Sequence, residues 1–104
     1  MITIKRNDTA RKISDTLLLD GAAIDLTGST VKFVMKPKGS GDIIKKNATI
    51  VTAPAGKVEY QFETGDTQNA GGYFIEWEIT FSGGAVLTVP DDGYSELTIL
   101  EDLG

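Results

Sequence analysis

The sequence contains no cysteine and no histidine. Without cysteine there is no disulfide framework, no thiolate nucleophile and no zinc site built on sulfur. Without histidine the commonest general base and metal ligand are gone, and with them every Ser–His or Cys–His pair. Long apolar runs are missing too: none approaches the roughly 20 residues that span a bilayer as a helix. The start, Met1-Ile2-Thr3-Ile4-Lys5-Arg6-Asn7-Asp8, lacks the apolar stretch of a signal peptide. The expectation is a protein made and used without Sec export and with no membrane partner. Positive charge is in short supply, with 10 Lys and Arg against 15 Asp and Glu. That balance argues against nucleic acid as a partner. No stretch gives a convincing helix. What remains is 104 residues, 40% hydrophobic and 24% charged, a globular composition that predicts one domain over residues 1–104 with one core.

The strongest pattern is Gly72-Tyr73-Phe74-Ile75-Glu76-Trp77-Glu78-Ile79-Thr80-Phe81-Ser82. Tyr73, Ile75, Trp77, Ile79 and Phe81 alternate with Glu76, Glu78 and Thr80. Successive side chains of a strand point to opposite faces, so this is a long strand with one apolar and one polar face. The single Trp sits mid-strand on the apolar side, and the other strands are expected to pack on it. Two further stretches alternate cleanly. Thr30–Lys36 turns Val31, Phe33 and Met35 inward and Lys32 and Lys36 outward. Lys57–Glu63 turns Val58, Tyr60 and Phe62 inward.

Turn residues divide the rest. Ile2–Ile4 is a short edge-like strand. Ile13–Leu19 reads as one strand closed by Asp20-Gly21, and Ile24 and Leu26 read as apolar plugs within a loop. Pro37–Asp42 reads as a loop. Ile43-Ile44 and Ala48–Val51 form a strand region broken at Lys45-Lys46-Asn47. Ala53-Pro54-Ala55-Gly56 is a tight turn, and Gly83-Gly84 fits a two-residue hairpin leading into Ala85–Val89. Pro90-Asp91-Asp92-Gly93 interrupts that strand before Tyr94–Leu100 completes the sheet. Seven to nine short strands with turns about every ten residues predict an all-β, antiparallel sandwich. The crossing from Thr67 to Tyr73, with a Tyr entering a long strand, resembles the tyrosine corner of immunoglobulin-like Greek keys.

Four local patterns then combine. Asp25-Leu26-Thr27-Gly28-Ser29-Thr30-Val31-Lys32-Phe33, Ala55-Gly56-Lys57-Val58-Glu59-Tyr60, Gly72-Tyr73 through Glu76, and Pro90-Asp91-Asp92-Gly93-Tyr94 follow in an order and spacing that resembles the N-terminal domain of phage baseplate upper proteins. The likeness covers nearly the whole chain. It implies an immunoglobulin-like β-sandwich and a virion structural protein of the tail or baseplate, assembled in the bacterial cytoplasm. It implies other phage structural proteins as partners, self-association in a symmetric assembly, no enzymatic activity and no cofactor. Longer family members continue into host-attachment regions, which puts a receptor-binding role for these 104 residues in doubt. A capsid decoration protein and a carbohydrate-binding sandwich are the alternatives.

Candidate chemistry is sparse. Glu76 and Glu78 stand roughly 6–7 Å apart on one strand face, a separation at which paired carboxylates hydrolyse glycosides; Glu is also the ordinary occupant of a solvated face. Asp91-Asp92-Gly93 offers oxygens without calcium-loop spacing and reads as a turn, with no metal expected. Lys36, Lys38, Lys45 and Lys46 surround one loop without interleaved aromatics, which suits a solvated loop or a rim for an acidic partner protein. Trp77 and Tyr73 could line a sugar site, but their alternation places them in the core. Asn7-Asp8-Thr9 and Asn47-Ala48-Thr49 match the glycosylation sequon and are discounted without export. In the immunoglobulin-like order the strands Thr30–Lys36 and Gly72–Ser82 are neighbours. Lys32, Val34 and Lys36 then share an outer face with Phe74, Glu76 and Glu78. This is the expected partner-binding surface, with Phe74 either exposed there or covered by a loop.

No hydrolysis of glycans, peptides or esters is expected. Substrate turnover that vanishes in Glu76→Gln would identify the carboxylate pair as catalytic instead.

Overall fold

Alternation in the sequence becomes strand in the fold. The computed structural model of the chain describes residues 2–90 and 95–103. Among these, eleven strands and one 3-10 turn form. The strands are β1 (Ile2–Lys5), β2 (Lys12–Thr16), β3 (Leu18–Leu19), β4 (Ala22–Ala23), β5 (Thr30–Pro37), β6 (Ile44–Asn47), β7 (Thr49–Thr52), β8 (Lys57–Gln61), β9 (Gly71–Thr80), β10 (Val86–Val89) and β11 (Ser95–Leu100). The larger sheet runs β1-β11-β9-β5-β6, with β10 also on β9; the smaller runs β2-β8-β7, and β3-β4 is a separate hairpin.

β9 is the axis. On one side β5 pairs with it from Thr30 opposite Thr80 to Pro37 opposite Tyr73. On the other, β10 takes its C-terminal half, ending with Val89 opposite Trp77, and β11 takes its N-terminal half, beginning with Ser95 opposite Ile75. The neighbours β11-β9-β5-β6 and β2-β8-β7 follow the G-F-C-C′ and B-E-D orders of an immunoglobulin-like sandwich. Every pairing is antiparallel except β1, which lies parallel to β11. Residues 91–94, on which the expected Asp91-Asp92-Gly93 turn and the start of the Tyr94–Leu100 strand fall, lie outside the described residues.

Between the sheets the inward positions form one core. Phe33, Trp77 and Ile79 from the larger sheet meet Ile13, Val58 and Tyr60 from the smaller, with Leu17, Ile24 and Leu26 plugging one end. The rings of Phe33 and Tyr60 stack across the gap with centroids 4.4 Å apart and planes 7° from parallel. Trp77 and Phe62 meet Phe33 edge-on, at 5.2 and 6.2 Å. The Trp77 indole N–H donates to Asp15 Oδ2 at 3.1 Å, so its polar atom is satisfied by the opposite sheet. The tyrosine corner is present: Tyr73 is buried and its hydroxyl donates to the Asn69 carbonyl at 2.5 Å.

Three local expectations differ from the fold. The Ile13–Leu19 strand is interrupted at Leu17, which drops into the core, donates its N–H to Gly56 O and accepts from Ile24 N–H. Leu18-Leu19 then pairs with Ala22-Ala23 across Asp20 and Gly21, both at positive φ. Burial of one side chain outweighs continued pairing. The break in residues 43–52 falls at Ala48, not at Lys45–Asn47. Ala48 N–H makes the last bond to Val31 O, after which the chain leaves β5 and joins β8 in the other sheet. The hairpin after β9 has three loop residues. Phe81 N–H reaches Ala85 O, and of the two glycines Gly84 takes positive φ, the pattern of a three-residue loop closed by one left-handed residue. Gly56 carries the strictest local demand. Its φ is +68°, and a Cβ there would meet Leu17 O at 2.8 Å and Ile24 O at 2.9 Å, so it admits the plug and the 3-10 turn Ala53–Ala55 side by side.

Trp77→Ala is expected to cost about 3–5 kcal/mol, a large share of a typical domain stability of about 5–15 kcal/mol. Glu78→Gln, on the outer face, is expected to change stability by no more than about 0.5 kcal/mol. Urea denaturation of the two variants checks the assignment of faces, and equal losses contradict it.

Candidate functional site

β5 and β9 owe their outer face to the same alternation that builds the core. Register sets Lys32 opposite Glu78, Val34 opposite Glu76 and Lys36 opposite Phe74. All six residues singled out from sequence therefore lie together on one surface. Lys32 and Lys36 are exposed, and Val34, Phe74, Glu76 and Glu78 are half-buried. From β6, Lys45 stands beside Val34 and its ammonium binds Glu78 Oε2 at 2.8 Å. From β11, Glu96 stands beside Phe74.

Phe74 is half-buried, and Lys38 lies over its ring. Lys38 donates its backbone N–H to Gly72 O, and its stem lies so close over Gly72 that a Cβ there would meet Lys38 Cδ at 3.0 Å. This sets the Lys38 ammonium 5.2 Å from the Phe74 ring centre and 2.8 Å from Glu96 Oε1. The hydrogen bond from Lys38, and then its charge, hold the Glu96 carboxyl below its usual range. Lys32, Lys36 and Glu76 enter no ion pair among the described residues. The surface thus carries Lys32, Lys36 and Lys45 on β5 and β6, Glu76, Glu78 and Glu96 on β9 and β11 with Lys38 lying over Phe74 and Glu96, and Val34 and Phe74 as its apolar residues.

A second polar cluster faces inward at the sheet edge. In β6 the side chains alternate, and Lys46, opposite Phe33, is on the inner side. Its ammonium binds Asp66 Oδ1 at 2.8 Å and Glu63 Oε1 at 2.9 Å. Asp66 Oδ2 accepts the Tyr60 hydroxyl at 2.5 Å and the Glu63 N–H at 2.9 Å. Burial raises the cost of charging Asp66, but the bonds from Lys46, Tyr60 and Glu63 outweigh it, and its carboxyl lies below the usual range. Burial first, and the Asp66 carboxylate second, push the Tyr60 hydroxyl far above its usual value, so it remains a donor. Next to Asp66, the buried Thr67 donates its hydroxyl to Asp8 O at 2.9 Å, fastening this turn to the one after β1.

The four loop lysines separate. Lys38, Lys45 and Lys46 each bind carboxylates, and Lys36 stays on the outer face. A cleft of about 700 Å³ opens between residues 37–46 and 64–73, but the polar atoms of Asp66 and Tyr73 on its floor are engaged within the protein. Trp77 and Tyr73 are buried and present no ring to a sugar. Among the described residues no three Asp, Glu, His or Cys side chains group as a metal site. Sequence reasoning leaves open whether a loop covers Phe74, without pointing to Lys38, and misses the Asp66 cluster. An inward lysine at position 46 is the available signal for the latter, because such a charge requires a buried acceptor.

A family model described as the BppU N-terminal domain matches residues 1–88. No curated protein matches the sequence. Among solved structures, CopC from Methylosinus trichosporium OB3b superposes with a TM-score of 0.56 at 11% identity, covering 99% of this chain and 86% of that one. At that identity the likeness is one of fold.

Asp66→Asn is expected to lower stability by about 1–3 kcal/mol at pH 7, where it takes from Tyr60 its charged acceptor and leaves Lys46 with Glu63 alone. The folded carboxyl lies below its unfolded value of about 3.9, so its contribution is present above that pH and is lost as pH falls through the depressed value. Denaturant midpoints of parent and variant should converge below about pH 4. A gap that persists in acid would assign the loss to packing.

Proposed function

The chain belongs to the BppU N-terminal domain family, structural domains of the phage baseplate, and from that premise we propose that it is a non-enzymatic docking module that binds other virion proteins through the outer face of β5 and β9. The observation that supports this surface is its layout. Val34 and Phe74 form an apolar centre across two adjacent, fully paired strands, and Lys32, Lys36, Glu76 and Glu78 ring it. An apolar centre with a charged rim is the anatomy of a modest protein–protein interface. The strands beneath it are anchored by the core, so the surface is rigid before it meets a partner and little order is lost on docking.

In this reading all 104 residues act as one docking unit. The module is assembled in the host cytoplasm, occurs in many copies per particle and contributes contacts, not chemistry. Its net charge of -5 suits a protein partner over nucleic acid.

Replacing Val34 and Phe74 together by Ser is expected to leave the fold intact, since neither belongs to the buried core. The same variant should fail to incorporate into virions when it complements a phage lacking the gene. Circular dichroism and immunogold labelling of particles read the two outcomes. A folded variant that labels tails and supports infection like the parent would remove this face from consideration and leave the loops, chiefly 37–42, as the docking surface.

A further inference from the structure

Among the described residues β10 pairs with β9 alone, so its other side is an open edge of the larger sheet. The Phe81 N–H bonds Ala85 O, one step before Val86 falls opposite Thr80. Hydrogen-bonded pairs alternate along an antiparallel ladder. Leu87 and Val89 therefore direct their N–H and C=O groups to β9, and Val86 and Thr88 direct theirs away from the sheet. Side chains alternate as well. Leu87 and Val89 lie opposite Ile79 and Trp77 on the core side, and Val86 and Thr88 lie opposite Thr80 and Glu78 on the outer face. The outer face of β5 and β9 thus continues across β10, where Val86 is 58% exposed.

The other edge strands of four or more residues are guarded. β6 carries Lys45 and Lys46, and β1 ends in Lys5. β2 carries Lys12 and Asp15, and the Asp15 carboxylate accepts the Thr16 N–H at 2.8 Å. β7 has a register shift between Ile50 and Thr52. Charges and bulges of this kind keep an edge from pairing with other chains. The strand Val86-Leu87-Thr88-Val89 has no charge, no proline and no register shift. An edge left in that state is a template for another strand.

Resting on the reading of the chain as a docking module, we infer that β10 takes an extended segment of a different virion protein as an added strand. Main-chain hydrogen bonds to Val86 and Thr88 hold the segment, and the side chains along β10 set its composition. An added residue opposite Leu87 points inward and completes the cover over that partly buried side chain. Added residues beside Val86 and Thr88 point outward. β10 has no charge to meet an ionic side chain, and Glu78, opposite Thr88, already binds Lys45. The segment is therefore uncharged at these positions and apolar opposite Val86 and Leu87. Since Val86 and Thr88 share the outer face with Val34 and Phe74, one partner can lay its body on the face and its segment along the edge.

Variants of the edge, complementing a phage that lacks the gene, test this. Thr88→Pro deletes an outward N–H and no bond to β9, whereas Thr88→Ser keeps that N–H. Val86→Lys sets a charge on the edge and leaves the backbone alone. Thr88→Pro and Val86→Lys should fold, as read by circular dichroism, and be lost from virions; Thr88→Ser should incorporate like the parent. In the parent, the Val86 and Thr88 amides should exchange with solvent quickly in the free domain and slowly in particles. Should Thr88→Pro fail to fold, Val86→Lys and the exchange rates decide. Equally fast exchange in particles, or a folded Val86→Lys that incorporates normally, would overturn the inference. Loss of Thr88→Ser as well would assign the contact to side chains and overturn strand addition. Dimerisation of the free chain that Val86→Lys abolishes would give the edge to a second copy, against the inference. The Val34, Phe74 double-Ser variant separates this reading from the docking face. Its loss from particles, with Val86→Lys incorporated, keeps the face and removes the added strand. Its incorporation, with Val86→Lys lost, keeps the added strand and removes the face.

Discussion

The stack of Phe33 on Tyr60 is the contact on which the rest of the fold depends. It is where aromatic rings of the two sheets meet face to face, and each ring sets conditions on its neighbours. Phe33 fixes the depth of β5 and turns the Trp77 and Phe62 rings edge-on. Tyr60 brings a hydroxyl into a region with little water, and an unpaired hydroxyl there costs several times what a made hydrogen bond contributes. Asp66 supplies the acceptor, but a buried carboxylate in turn needs a cation, and Lys46 on the inner side of β6 supplies it. One aromatic contact thus dictates an acid, a base and the position of the turn that carries them.

The same cluster explains why the edge of the larger sheet at β6 ends where it does. An inward-pointing lysine with an outward lysine beside it is a poor template for another strand. Growth of the sheet at that edge is disfavoured, and the broad outer face of β5 and β9 stays open. There the polar groups do not neutralise one another completely. Lys45 and Lys38 bind carboxylates, while Lys32, Lys36 and Glu76 enter no ion pair among the described residues. Their side-by-side arrangement follows from register, because each pairing of β5 with β9 sets one strand's polar residues beside the other's.

How much of this is legible in the sequence depends on the range of the interaction. Period-two alternation is local, so β5, β8 and β9 can be read with the right faces inward, and the six outer residues follow once β5 and β9 are made neighbours. Ile24 and Leu26 are recognisable as plugs because they are apolar residues without a strand pattern. Strand ends are not legible. Leu17 breaks its strand because Gly56, far along the chain, offers a carbonyl, and Ala48 is a break because Val31 holds the last bond before the chain changes sheets. In the hairpin, two glycines permit either loop length, and the longer pairing to Ala85 decides between them. The cover on Phe74 depends on a lysine from the next loop reaching across a glycine. No local pattern encodes that reach.

The parallel pairing of β1 with β11 has a mechanical consequence. Ile2 lies beside Leu97 and Lys5 beside Leu100, so the two strands run side by side in the same direction. Tension that pulls the chain before β1 one way and the chain after β11 the other must slide these strands lengthwise. All the hydrogen bonds between them then bear the load at once, whereas a hairpin opened from its free ends would lose its bonds singly, in sequence. Arg6 reinforces the end of this pairing, with its N–H on Leu100 O and its guanidinium on Asp102 at 2.9 Å. The arrangement makes the β1–β11 pairing resist tension directed along these two strands.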